Sequence, residues 1–306
     1  MTKIHVTAGS LDGISIEIFS NFFKILTLED QKKFTLYGDK SQINRYLQVA
    51  GLGNLENCNI FDISKNTSLN SEHNSTVVKS LDYVFTNSGP NDFLLTLPAT
   101  KKEFLYKDTS YSGHTEFFRH YFSNHHLPMV FLGHKFNLLL LTDHVPLNSV
   151  TNILTRDFIF EKVKMTLDKI SQYTLIKKVI FLGINPHAGE GGIIGSDEVM
   201  LNSSIELLKN EFKSKFSFSG PTPADTALIH SPDPCKETLI ISPYHDQGLA
   251  LFKSVHGMLG VNITLGLPLL RISPDHGTAP SLLFKNQANY SSLFYCWDQI
   301  KKIGRA

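Results

Sequence analysis

The chain is punctuated by short, almost unbroken apolar runs, each closing in a polar or Gly/Pro-containing turn. They are "KIHVT" before Ala8-Gly9, "FTLYG", "DFLLTLP", "NLLLLTD", "KVIFLGINP" and "TLIISP". Runs of this length without polar alternation suit strands covered on both faces. Helix-like stretches separate several of them. From Asp157 onward, Phe160, Val163, Leu167 and Ile170 fall on one face at helical spacing, with charges opposite. The run "SDEVMLNSSIELLKNEF" opens at Ser196 with a capping hydroxyl and two acids, which favour a helix N-terminus. Doubly covered strands alternating with helices predict an α/β fold on a mostly parallel sheet. The 306 residues allow one large α/β domain or two lobes.

Such a sheet dictates where ligands sit, because the crevices lie beyond the C-terminal ends of its strands. Asp143-His144 follow "LLLLT", Asn185-Pro186-His187 follow "VIFLGI", and His245-Asp246 follow "LIISPY". In "SPYHDQGLALFK" a lysine, Lys253, comes eight residues after His245. Three imidazoles could form a metal site with positions open for substrate. Their separations of 43 and 58 residues match no local metal motif. Any one of them alone is more ordinarily a hydrogen-bonding structural histidine. Their shared position after strands favours convergence.

Other stretches carry weaker signals. "NPHAGEGGIIGSDE" packs Gly189, Gly191, Gly192 and Gly195 ahead of a helix, where backbone N–H groups can approach an anion. It is neither G-x-G-x-x-G nor a P-loop, and a plain flexible connection explains it equally well. "SGHTEFF" supplies His114 and Thr115 as a donor pair for phosphate or carboxylate. Lys253, Asn262 and Arg271 add an ammonium, an amide and a guanidinium fork. Scattered basic residues are usually solvated, so this set counts only if it converges. The Asn/Ser-rich segment from Asn54 to Thr76 reads as a loop.

Composition narrows the partners. The 29 basic and 28 acidic residues leave a net charge of +1, which argues against nucleic acid. No apolar run reaches the roughly eighteen residues of a membrane helix, and "MTKIHVTAGS" shows no signal-peptide core. Cys58, Cys235 and Cys296 fit neither a disulfide framework nor a zinc-finger spacing, which suits a reducing cytoplasm. The sequons at Asn66 and Asn74 then read as chance matches.

"GHTEF", "TDHVPL", "NPHAGEGG", "GPTPADT", "YHDQGLALFK", "VNITLGLPLLR" and "DHGTA" occur in one order between about Gly113 and Ala279. In this the chain resembles the 4-hydroxythreonine-4-phosphate dehydrogenase family of vitamin B6 biosynthesis. The resemblance implies the isocitrate/isopropylmalate-dehydrogenase type of fold, two α/β lobes around a central mostly parallel sheet with a cleft between them. The lobes expected are 1–130 with 270–306 on the cofactor side, and 131–269 with the metal histidines and the dimer interface.

By the same resemblance, the enzyme oxidises and decarboxylates 4-phosphooxy-L-threonine to 3-amino-2-oxopropyl phosphate with NAD or NADP and one divalent metal. Zinc suits three imidazoles best; magnesium, manganese or cobalt could serve. The implied metal ligands are His144, His187 and His245, and the substrate residues are His114, Thr115, Lys253, Asn262 and Arg271. Asp246 and Lys253 are the implied catalytic groups, with Asn185, Gly189, His276, Gly277 and Ala279 near the cofactor. A homodimer with its active site at the subunit interface completes the expectation.

The chain departs from the family pattern in places. The "GDPAGIGPE"-like loop becomes "GSLDGISIE", keeping Gly9, Gly13, Ile14 and Glu17, and the "APVSK"-like turn becomes "LPATK". After Ala279, "PSLLFKNQ" lacks an aspartate found in the family, and the region from Asn57 to Ser75 is trimmed. These changes leave room for a relative acting on another phosphorylated hydroxy acid, such as a threonate or erythronate phosphate, or for a non-catalytic descendant. Apart from the resemblance, a three-histidine metallohydrolase is the competing reading.

Overall fold

The computed structural model describes residues 2–65, 75–228 and 236–304. Asn66, Asn74 and Cys235 lie outside the described residues. The chain divides into two compact units, Met1–His125 with Leu267–Arg305, and His126–Gly266. In chain order the first unit begins with β1 (Ile4–Thr7), β2 (Phe34–Gly38), β3 (Asn59–Asp62), β4 (Phe93–Thr96) and the small hairpin β5 (Leu105–Tyr106) and β6 (Thr109–Ser110). The second unit follows with β7 (Met129–Gly133), β8 (Asn137–Leu140), β9 (Lys178–Leu182), β10 (Ser217–Thr222), β11 (Thr238–Ser242) and β12 (Gly260–Thr264). The chain then returns to the first unit with β13 (Leu270–Pro274).

Every apolar run singled out in the sequence contributes a strand. In the first unit the order is β13-β4-β1-β2-β3, with every neighbouring pair parallel. In the second it is β10-β9-β11-β8-β7-β12. There β10 through β8 run parallel, while β7 is antiparallel to both β8 and β12. All residues of β1, β4, β8 and β11 are buried, as continuous apolar runs require. Phe19, Phe22, Phe23 and Phe34 are wholly buried in the first unit, with Phe34 against Trp297 at 5.4 Å. Phe131, Phe136, Leu138, Ile240 and Phe252 anchor the core of the second. Each such side chain contributes about 1.5–3 kcal/mol of burial energy. No helix among the described residues is long and apolar enough to cross a membrane.

The helix with the Asp157 stripe spans Arg156–Ile170 and starts at Thr155, whose hydroxyl accepts from Phe158 N at 3.2 Å. Val163, Leu167 and Ile170 are buried, and Ile159 and Lys162 share the buried face with them. The helix expected from Ser196 begins later, at Glu198, and no side chain caps it. The Glu198 carboxylate turns back instead to accept from Ile184 N and Asn185 N, at 3.0 and 2.7 Å. The stretch read as a loop from Asn54 holds β3 and a 3₁₀ turn, Ile63–Lys65. Its polar composition is tolerated because β3 is an edge strand, paired among the described residues with β2 alone and only partly covered.

Candidate active site

The residues singled out in the sequence fall into two sets, one on each unit. In the first unit, Arg271 lies on β13 in register with Leu94 of β4 and is 3% exposed. Its Nε donates to Thr96 Oγ1 at 3.0 Å, and its guanidinium carbon lies 5.8 Å from the centre of the Phe118 ring. Burial holds the guanidinium well below its ordinary pKa, at about 9. The helix His114–Tyr121 places His114 and Thr115 in its first turn and Phe118 one turn later. The His114 ring packs on Phe104 and Phe118, with centroids at 4.7 and 5.9 Å. Burial, and then the Arg271 cation, push its pKa well below the ordinary value, so the imidazole is neutral. Its Nε2 is buried with no hydrogen-bond partner among the described residues. A desolvated guanidinium, a neutral imidazole and the buried Thr115 at a helix N-terminus form a cradle suited to an anion.

The loop after β13 carries His276, Gly277 and Ala279. His276 Nδ1 lies 3.0 Å from Gly277 O, Gly277 is exposed, and Ala279 adopts a left-handed φ of 40°. The "GSLDGISIE" segment packs directly on this loop. Ile14 N donates to Thr278 O at 3.0 Å, and a Cβ on Gly13 would come within 2.4 Å of that same oxygen. The segment lacking the family aspartate is folded down here too. Phe284 stacks on Tyr46 at 5.0 Å, Asn286 Nδ2 donates to Ala50 O, and Ala288 N donates to the buried Glu17 carboxylate. The two altered stretches are therefore one packed surface, and the retained Gly13 and Glu17 support it.

In the second unit, β9, β11 and β8 are consecutive parallel neighbours, and each is followed by one histidine. His144 and His245 share a cavity of about 280 Å³ with Asp143, Leu147, Tyr244 and Asp246. Their ring centroids lie 5.5 Å apart. His245 Nδ1 is 2.7 Å from Asp246 Oδ1, which directs Nε2 toward any ligand. The framework beneath is braced. The buried Lys162 ammonium donates to Leu141 O at 2.7 Å, and Gln247 Nε2 to Gly183 O at 2.8 Å. Gly248 lets the helix His245–His256 approach β11, since a Cβ there would sit 2.7 Å from Ser242 Cβ.

His187 stands apart. It is exposed and does not line that cavity. From His187 to Gly192 every residue has positive φ, a left-handed course that is strained for His187, Ala188 and Glu190. Among the described residues no group of three His, Cys, Asp or Glu side chains is gathered to hold a metal. The donor chemistry suits a divalent cation, and topology brings all three imidazoles to one sheet edge, but only two share a cavity.

The other assigned residues have contacts or positions of their own. The side chain of Asn185, expected near the cofactor, donates to Asp197 Oδ2 and Glu198 Oε2, at 2.9 and 3.0 Å. Gly189 is glycine for a packing reason: a Cβ would lie 2.4 Å from Glu198 Oε2. Lys253 is exposed on the helix begun by His245, eight residues or about 12 Å further along its axis, and does not line the histidine cavity. Asn262 lies on β12 opposite Phe131, its Oδ1 buried and without a partner among the described residues. Thr96, Phe118 and Lys162 were missed. The available signals were a hydroxyl at the end of "DFLLT", an aromatic one turn after "HT", and a lysine three residues from Ile159 on an otherwise apolar stripe.

The family profile described as pyridoxal phosphate biosynthetic protein PdxA matches residues 19–299. The chain belongs to the PdxA family. Among curated relatives, the 4-hydroxythreonine-4-phosphate dehydrogenase of Hydrogenobaculum sp. is 35% identical over 212 residues, 69% of this chain and 65% of the relative. The PdxA-family chain thus spans somewhat less than two thirds of the length of the first curated relatives it matches. Among solved structures, the Klebsiella pneumoniae 4-hydroxythreonine-4-phosphate dehydrogenase superposes with a TM-score of 0.76 at 21% identity, covering 99% of this chain and 100% of that one. Isocitrate dehydrogenase from Methylococcus capsulatus follows with a TM-score of 0.50 at 13% identity, covering 99% and 86%. At these identities the likeness is one of fold. The PdxA-family chain has the isocitrate-dehydrogenase type of α/β fold.

Proposed function

We propose that this chain is a metal- and NAD(P)-dependent 4-hydroxythreonine-4-phosphate dehydrogenase, an oxidoreductase that converts 4-phosphooxy-L-threonine to 3-amino-2-oxopropyl phosphate and CO₂. The observation that carries the reading is the cradle of the first unit, within a chain matched to the PdxA family over residues 19–299. There a guanidinium taken almost wholly out of water lies close enough to His114 to depress its pKa, with Thr115 beside it. An anionic group brought to that cradle restores the stabilisation that Arg271 lost with its water.

In this reading Arg271, His114 and Thr115 bind the phosphorylated end of the substrate. His144, His187 and His245 would hold the divalent cation, with zinc as the best match for imidazole ligands. When bound, the cation supplies Lewis-acid polarisation of the secondary alcohol, and the nicotinamide supplies the hydride acceptor. Asp246 fixes the tautomer of His245 through Nδ1 or takes the alcohol proton. Lys253 and Asn262 complete substrate binding in a homodimer, in which the exposed ammonium of one subunit serves the site of the other. The loop of His276, Gly277 and Ala279 receives the cofactor. A cytoplasmic setting agrees with the scattered cysteines.

The test is a coupled assay of purified protein with 4-phosphooxy-L-threonine, NAD or NADP and a panel of divalent metals, read at the NAD(P)H absorbance. Metal-dependent turnover is the expected result. No turnover alongside good turnover of a threonate or erythronate phosphate would transfer the reading to those substrates. Phosphate release without any nicotinamide requirement would replace it with a hydrolase. Sedimentation should show a dimer at assay concentration, and an active monomer would remove the shared site.

A further inference from the structure

We propose that Thr96 is a positioning residue for the substrate reading above: it sets the plane of the Arg271 guanidinium and so aims the fork that receives the anion. The inference rests on the cradle's assignment to substrate, but its geometry stands independently. Thr96 closes β4 and is 1% exposed. The adjacent strand β13 runs parallel to β4, with Arg271 opposite Leu94 and Ile272 opposite Leu95. That register brings the Thr96 hydroxyl to Arg271 Nε at 3.0 Å.

A guanidinium has five N–H donors in one plane, and Nε is the donor nearest the aliphatic stem. An acceptor fixed at Nε restrains rotation of the head about the stem. Phe118 covers the guanidinium from a different element, with its ring centre 5.8 Å away. One contact comes from a strand end and the other from the helix that bears His114 and Thr115. Both contacts restrain the plane of the guanidinium, and that plane sets the direction in which its Nη donors can meet phosphate or carboxylate oxygens. Leu94 and Leu95 beside it are wholly apolar and could not replace the hydroxyl. Serine could, because it keeps the acceptor.

The experiment compares parent, Thr96→Val, Thr96→Ser and Arg271→Ala, together with the Thr96→Val/Arg271→Ala double variant. Two readouts are taken: KM and kcat for 4-phosphooxy-L-threonine, and calorimetric affinity for inorganic phosphate. Thr96→Val should raise KM and weaken phosphate binding on the order of 10-fold, with kcat much less affected, and Thr96→Ser should stay close to the parent. In the Arg271→Ala background the valine substitution should add almost nothing, because its effect passes through the missing guanidinium. If the valine chain does not fold, Thr96→Ala takes its place in every comparison. An unchanged KM and phosphate affinity in the variant lacking the hydroxyl would overturn the proposal. So would a serine variant as impaired as valine, or full additivity with Arg271→Ala. If the parent turns over no phosphooxythreonine while phosphate affinities follow the stated order, the substrate reading fails and the role of Thr96 stands.

Discussion

The anion cradle of the first unit and the histidine edge of the second are built in opposite ways. Arg271, Thr96 and Thr115 sit on regular elements and are at most 5% exposed, and His114 keeps a buried nitrogen. His144, His187, His245 and Asp246 sit at or beyond strand ends, and His187 and the carboxylate of Asp246 are open to solvent. The difference follows from the chemistry proposed for each. A guanidinium recognises an anion strongly only when water is removed and its fork is already aimed, so its supports must be rigid. Imidazoles bind a cation through short, strong, directional bonds that can themselves draw loops together, so their full arrangement can form when the ligand arrives. One region is preassembled; in the proposed reading the other is brought near by topology and completed by the cation it would bind.

The sharpest way to break this comparison is His187→Ala. In the proposed site this removes one of three imidazoles, so bound metal should be lost and turnover should fall by more than the roughly 10- to 100-fold that follows loss of a group hydrogen-bonded to a ligand. Because His187 is exposed on a loop, folding stability should change by no more than about 0.5 kcal/mol. Elemental analysis, turnover and thermal melting together decide it. Full metal occupancy in the variant removes His187 from the ligand set. A large loss of stability would show that the histidine edge is as tightly built as the cradle.

Arg271 gives the next largest effect. A hydrogen bond to a charged group contributes about 1.5–3 kcal/mol, so Arg271→Ala should raise KM for the phosphorylated substrate roughly 10- to 150-fold. Arg271→Lys keeps charge without the planar fork and should still weaken binding. Metal content should be unaffected, since Arg271 is not among the proposed metal ligands. The parent should also show a pH effect of definite sign. The guanidinium binds an anion only while protonated, and burial has brought its pKa down to about 9. KM should therefore rise as pH climbs through that value, and the lysine and alanine variants should lose or move the inflection. Steady-state kinetics between about pH 7 and 10 measures it.

Much of the molecule could be read from the residues, and the failures have physical causes. Continuous burial on both faces leaves an apolar run that announces a strand, so β1, β2, β4, β8, β9 and β11 were legible. The direction of a strand leaves no such mark, so antiparallel β7 could not be told from its parallel neighbours. The strand-end rule placed three histidines at one edge of the sheet but could not specify the left-handed path that holds His187 away from the other two. Thr96 was hidden because one hydroxyl inside "DFLLTLP" reads as part of a strand; its partner lies 175 residues away. His245 and Lys253 share one helix, and Lys253 does not line the histidine cavity. Nearness in sequence along one helix is about 12 Å in space at eight residues.

The smallest expected effect is at Asn185, and it separates a cofactor contact from a structural brace. Its amide donates to Asp197 and Glu198, and its own N–H donates to Glu198, so the residue joins the end of β9 to the start of the helix Glu198–Phe212. Replacing it by alanine keeps the backbone bond but removes both side-chain donors from two carboxylates, of which Glu198 is 6% exposed. Leaving a buried acceptor short of its donor costs about 1–3 kcal/mol, and water should reach the more open Asp197 and soften that cost. Stability in urea should therefore fall by about 1 kcal/mol, toward the lower end of that range. If Asn185 only braces the loop, NAD affinity at saturating metal should stay close to that of the parent. If affinity drops severalfold while the unfolding midpoint does not move, the amide is released from the carboxylates when cofactor binds. The histidine edge would then be rebuilt by its ligands further back than the loop tips, as far as the first turn of that helix.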